Sequence, residues 1–168
     1  IEAGQMTLEL QDFCPLELTE DTVRTYSAFA RSKGLQLYAC IDTALPDRLR
    51  GDPIRIRQIL NNLLSNAIKF TDPGGQVIIT AKAIATGELL LSVTDTGVGM
   101  NEDQLSKALE PFRRVEVAGR PEVQGTGLGL PLTKALVEAN RATFEISSEA
   151  RKGTRIDITF PTTRVLAS

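Results

Sequence analysis

Apolar positions along the chain switch between alternation and helical spacing, and the switches mark out interleaved strands and helices. Met6, Leu8 and Leu10 alternate, which predicts a short strand over 6–10. Thr19-Glu20-Asp21 reads as an N-cap followed by first-turn acids. The helix it opens carries Val23, Tyr26 and Ala30 and ends at Lys33-Gly34, a cation and then a C-terminal glycine. Leu35, Leu37, Ala39 and Ile41 alternate as a strand that Pro46-Asp47 breaks. Asp52-Pro53, an N-cap and a first-turn proline, opens a helix predicted to reach about Phe70, where 71–75 (TDPGG) stops it. Along it Ile56, Ile59, Leu60, Leu63, Leu64 and Ala67 form one apolar face.

Further on, 77–84 and 89–93 are β-rich runs around a Gly87-Glu88 turn, most simply an antiparallel pair. The stretch 100–124 holds only one short helical piece, about 102–109. A loop this long inside a domain reads as a lid or as disordered chain. A helix over 131–140 and strands over 143–147 and 154–160 complete the pattern. Helices interleaved with hairpin-like strand neighbours predict an α/β two-layer sandwich: a mixed, mostly antiparallel sheet under about three helices.

Composition narrows the function classes. With 168 residues and 42% apolar content the chain suits one domain with a proper core. A net charge of −2 argues against nonspecific nucleic-acid binding. Cys14 and Cys40 share no motif spacing and the chain has no histidine, so a zinc site is not expected; both thiols read as ordinary buried cysteines of a reducing compartment. No apolar run approaches the ~20 residues of a membrane span and the N-terminus lacks a signal-peptide layout. The chain is therefore expected to be soluble and without direct membrane contact, although a longer parent protein can carry an anchor.

Four segments are candidates for chemistry. Asn62, Asn66 and Lys69 stand four and three residues apart, a polar stripe beside the apolar face of their helix. Asparagine is a poor helix former. These side chains either make a solvated face or are held toward a ligand, an amide oxygen suiting Mg²⁺ and a lysine suiting phosphate. Leu89 to Asp95 ends an apolar strand in a carboxylate, followed by Thr96-Gly97-Val98-Gly99-Met100. Such a carboxylate can accept from an adenine amino group while the glycines admit the base; the same residues can equally form a plain turn. Gln124-Gly125-Thr126-Gly127-Leu128-Gly129-Leu130 leads into a helix and offers free amides to phosphate, but it is neither a P-loop nor a dinucleotide fingerprint. Glu110-Pro111-Phe112-Arg113-Arg114 lies in the lid stretch, where an arginine can reach a γ-phosphate or simply stay solvated.

In this order the segments resemble the catalytic and ATP-binding domain of two-component sensor histidine kinases. The stretch 58–71 (QILNNLLSNAIKFT) looks like that family's N box, and 95–100 (DTGVGM) like its first glycine box. Glu110-Pro111-Phe112 resembles the F box, and 125–130 (GTGLGL) the second glycine box; Gly153-Thr154 matches a weaker motif. The likeness spans about 51–161 and implies the Bergerat fold shared with gyrase-type and Hsp90-type ATPases. It implies that Asp95 holds the adenine amino group and that Asn66 ligates Mg²⁺. Asn62 and Lys69 would flank the phosphates, with Phe70 nearby and Arg114 as the lid arginine. Gly97, Gly99, Met100, Phe112, Gly125, Thr126, Gly127, Leu128, Gly129, Leu130 and Thr154 are the further expected nucleotide contacts.

Water-using relatives commonly carry glutamate where Asn62 stands. An amide cannot act as a general base, so the resemblance implies ATP-dependent transfer to a protein histidine rather than efficient hydrolysis. That histidine would lie on a dimerisation domain absent from this histidine-free sequence. The expected layout is the end of the dimerisation helix and connector over 1–12, the catalytic domain over 13–162 with its lid at about 101–126, and a tail over 163–168. The implied setting is a monomeric chain from a cytoplasmic, homodimeric parent, possible anchoring in the inner membrane included, which passes phosphate on to a response regulator.

The sequence departs from the family pattern at a few places. Leu109 and Arg113 stand where aromatics are frequent, Pro131 begins the last helix, and Asn140-Arg141-Ala142 replaces a common histidine and glycine, with Asn140 expected to take the left-handed cap. Two rivals remain. A degenerate nucleotide-binding adaptor would act through protein contacts, against which the intact Asn66, Asp95 and glycine boxes speak. An aspartic protease would use Asp95-Thr96-Gly97, but only one such triplet exists and the asparagine helix would go unexplained.

Overall fold

The computed structural model describes residues 8–110 and 129–166. In chain order these form β1 (Gln11–Phe13), α1 (Pro15–Ser32), β2 (Gln36–Ile41), β3 (Arg48–Gly51) and α2 (Pro53–Lys69). Then come β4 (Gln76–Ala83), β5 (Leu89–Asp95), α3 (Glu102–Ala108), α4 (Gly129–Ala139), β6 (Thr143–Glu149), β7 (Gly153–Phe160) and β8 (Val165–Leu166). A five-stranded sheet has the order β2-β4-β5-β7-β6, parallel between β2 and β4 and antiparallel elsewhere. Helices α1, α2 and α4 pack on one of its faces, giving the two-layer sandwich that the pattern predicts.

Alternation builds the inward face of that sheet. Val77, Ile79 and Ala81 of β4, Leu89, Leu91 and Val93 of β5, and Ile156, Ile158 and Phe160 of β7 all point inward and are buried. They meet Ile56, Ile59, Leu60, Leu63, Leu64 and Ala67, the apolar stripe read from α2. Burying one such side chain contributes about 1.5–3 kcal/mol, so this stripe, not intrinsic propensity, holds α2 on the sheet.

Both ends of α2 are tied down. Asp52 is its N-cap: Oδ1 accepts from Arg55 N at 3.2 Å and Oδ2 from Glu9 N at 3.1 Å. The Asp52 N–H donates to Asn140 Oδ1 at 3.0 Å, and Asn140 Nδ2 donates to Leu136 O at 3.0 Å. Asp52 and Asn140 are buried, so this network fixes α2 against the end of α4 and against the N-terminal segment. At the other end Lys33 Nζ donates to Ile68 O at 2.7 Å and Lys69 O at 2.8 Å, a cation on the carbonyl end of the helix.

Several local expectations are corrected. Helix α1 starts at Pro15 behind Cys14, not at Thr19, whose buried hydroxyl instead bonds back to Pro15 O at 2.8 Å inside the helix. Residues 8–10 are outside any strand; the strand is Gln11–Phe13, set by pairing with β3, a partner that the sequence pattern misses altogether. Val165–Leu166, inside the stretch expected as a tail, pairs with the other edge of β3. Arg141, at φ 63°, takes the left-handed position after α4, because Asn140 is committed to Asp52 and Leu136. Cys40 is exposed and Cys14 half-buried: Cys40 lies on an edge strand in register with Thr80, on the face without helices. The strand expected over 6–7 and the helix stop at Gly4 lie outside the described residues.

Candidate functional site

One row of residues crosses four strands at an end of the sheet. Ser148 of β6 pairs with Thr154 of β7, Thr154 with Asp95 of β5, and Asp95 with Val77 of β4. Parity puts all four on the inward face, where apolar side chains stand in the rows behind. Asp95 Oδ1 accepts from Gly97 N at 2.9 Å and from Thr154 N at 3.3 Å. Oδ2 accepts no hydrogen bond from the described residues. Burial pushes the Asp95 carboxyl above the usual aspartate range, and the Gly97 and Thr154 N–H groups pull it part of the way back.

The loop after β5 is pressed against three other segments. A side chain at Gly97 would meet Phe70 O, Asp95 Oδ1 and Thr71 Oγ1 within 3 Å, so only glycine fits. Val98 N donates to Phe70 O at 3.1 Å, Arg151 N to Val98 O at 2.6 Å, and Met100 N to Ser148 Oγ at 2.8 Å. Gly99 lies at φ 64° against the Glu149 carbonyl. An open cleft of about 670 Å³ follows this loop around the sheet end and is lined by Asp95, Met100, Ser148 and Thr154, with Thr94 and Arg155 from the other face. At its lip α3 starts with a capping box: Asn101 Oδ1 accepts from Gln104 N at 2.8 Å and Gln104 Oε1 from Asn101 N at 2.9 Å.

Helix α2 brings the polar stripe to the same end. Asn62 and Asn66 are half-buried and Lys69 is exposed. Asn62 Nδ2 donates to Thr133 Oγ1 of α4 at 3.4 Å. The Asn66 amide has no hydrogen-bond partner among the described residues. A half-buried amide placed this way presents an oxygen to a hard cation without first breaking a protein contact. Among the described residues no three His, Cys, Asp or Glu side chains cluster as a metal cage. The Asn66 amide oxygen is a donor of the kind Mg²⁺ takes beside substrate phosphates.

The structure thus brings together Asp95, Gly97, Gly99, Met100 and Thr154, and joins Phe70 to them through the Gly97 loop. Gly129 and half-buried Leu130 begin α4, which carries Thr133 beside Asn62. Phe112, Arg114, Gly125, Thr126, Gly127 and Leu128 lie outside the described residues, as does the part beyond residue 110 of the stretch expected as a lid. Ser148 and Thr133 escape the sequence reading. Ser148 does leave a trace: it interrupts the inward alternation of Phe144 and Ile146 with a hydroxyl.

Residues 51–164 match the family of histidine kinase-, DNA gyrase B-, and HSP90-like ATPases. The cell-division control histidine kinase PdhS of Brucella abortus (strain S19) is 39% identical over 175 residues, covering 99% of this chain and 17% of that protein. Full-length ShkA in complex with AMPPNP superposes with a TM-score of 0.82 at 29% identity, over 97% of this chain and 33% of that one. The catalytic domain of histidine kinase ThkA gives 0.78 at 25% identity, over 92% and 97%.

Proposed function

The chain belongs to the histidine kinase-, DNA gyrase B-, and HSP90-like ATPase family and has the ATP-binding catalytic fold of the histidine kinases; we propose that it binds Mg·ATP at the Asp95 end of its sheet and transfers the γ-phosphate to a protein histidine. The observation that carries the reading is Asp95: its Oδ1 is fixed by two backbone N–H groups while Oδ2 is left for a ligand. A 6-amino purine supplies the matching donor. Gly97 lets the backbone come close, and Met100 lines the same cleft.

The polar stripe on α2 points the triphosphate along that helix. Asn66 would hold Mg²⁺, which neutralises phosphate charge when bound, and Asn62 and Lys69 would flank the phosphates. The second glycine box, 125–130, would close over them with Phe112 and Arg114. Catalysis then rests on positioning and charge, since the α2 stripe carries no carboxylate to act as base: Asn62 is an amide and cannot activate water. That is why a histidine acceptor, rather than hydrolysis, is the proposed outcome.

The chain spans about 17% of the length of the PdhS proteins that it matches. The parent's dimerisation and phospho-acceptor domain and its response regulator are therefore proposed partners, in a cytoplasmic setting. Among the described residues no helix is long and apolar enough to cross a membrane. Calorimetric titration of ATP and ADP, with and without Mg²⁺, into the chain and into Asp95→Asn tests the site. We expect binding that the substitution weakens at least about tenfold, the value of a charge-assisted hydrogen bond. No binding by the parent chain would leave the motifs vestigial and favour the adaptor.

A further inference from the structure

The Ser148 hydroxyl meets three partners: Met100 N at 2.8 Å, Thr154 Oγ1 at 2.8 Å and Gly153 O at 3.2 Å. A serine hydroxyl has one proton and two lone pairs. Met100 N can only donate and Gly153 O can only accept. With one proton per contact, all three are hydrogen bonds together only when Ser148 accepts from Met100 N–H and from Thr154 O–H and donates to Gly153 O. The Thr154 proton is then directed to β6, so Thr154 Oγ1 turns only lone pairs toward the cleft that it lines.

Resting on the reading that a purine lies against Asp95, we propose that Ser148 is a positioning residue that sets adenine-over-guanine selectivity by holding Thr154 as a hydrogen-bond acceptor. Thr154 is in register with Asp95, and its N–H is bound to Asp95 Oδ1. Asp95 Oδ2 and Thr154 Oγ1 therefore present two acceptors at one edge of the site. The 6-amino group of adenine has two protons for that edge. The 6-oxo group of guanine meets lone pairs on both sides, and a mismatch of buried polar groups discriminates more sharply than a lost apolar contact.

Kd values for ADP and GDP, measured by calorimetry on the full chain and its variants, test this. The parent prefers ADP. Ser148→Ala frees the Thr154 proton to turn toward a 6-oxo group, so the ADP-to-GDP preference narrows by about fivefold, the value of one neutral hydrogen bond. Ser148→Thr keeps a hydroxyl on the strand and restores the preference. Equal weakening of both nucleotides by Ser148→Ala, or an unchanged ratio, overturns the inference and leaves the adenine site standing. Thr154→Val checks the same point independently of Ser148→Ala folding. Removing the opposing lone pairs should strengthen GDP binding, whereas weaker GDP binding shows that Thr154 donates into the cleft and overturns it. A parent chain that binds neither nucleotide ends the adenine reading itself, and this inference with it.

Discussion

At the residue scale, the role proposed for Asp95 comes at some expense to the fold. Burial raises its folded-state pKa above that of the unfolded chain. The folded state then holds its proton to higher pH, so this group's contribution to stability falls as pH rises from the unfolded value through the folded one. At neutral pH the ionised form is a net cost. Asn keeps an Oδ1 for the Gly97 and Thr154 N–H groups but carries no charge. We therefore expect ligand-free Asp95→Asn to melt no lower than the parent at pH 7 while losing nucleotide; a clearly lowered thermal midpoint contradicts this. Acidification should weaken ATP binding by the parent starting above the pH at which an ordinary aspartate protonates. Titrating Kd against pH checks the direction.

At the scale of elements, α2 positions the site and is itself held by polar contacts at its far end. Asn140→Ala leaves the buried Asp52 N–H without its acceptor, a loss of about 1–3 kcal/mol. Asp52→Ala removes a cap used twice, by Arg55 N and Glu9 N, and should cost about 2 kcal/mol. Denaturant unfolding measures both, and because Asn140 bonds the Asp52 backbone N–H, which Asp52→Ala keeps, the double variant should cost close to the sum. A double variant costing clearly less than the sum would show that the cap and the Asn140 contact depend on each other. Much of α2 is legible in the sequence, since its cap, first-turn proline, apolar stripe and stop are all local signals. The start of α1 is not: Thr19 looks like a cap, and only its burial against the core shows it to be the interior of a helix.

At the scale of the whole molecule, the proposed phosphoryl transfer meets a sequence with no histidine to receive the group. With radiolabelled ATP it should acquire no acid-labile phosphate. Mixed with a separately prepared histidine-bearing dimerisation domain of its parent, it should label that domain at a rate that falls in Asn66→Ala. Acid-labile label on this chain alone would refute the assignment of the acceptor.

Spacing along the chain by itself determined the layer architecture, the asparagine stripe of α2, and the Asp95–Met100 turn between strand and loop, because caps, glycines and periodicity act over a few neighbouring residues. Tertiary structure alone decided the small sheet of β1, β3 and β8, which joins residues about forty and more than a hundred positions apart and has no periodic signature. It also decided the Ser148–Thr154–Asp95 row: Asp95 and Thr154 are 59 residues apart, and Met100 and Ser148 are 48. Strand register set those neighbours, and register is fixed by which apolar side chains can be buried together across the sheet, a property of the packed core that no local stretch of sequence contains.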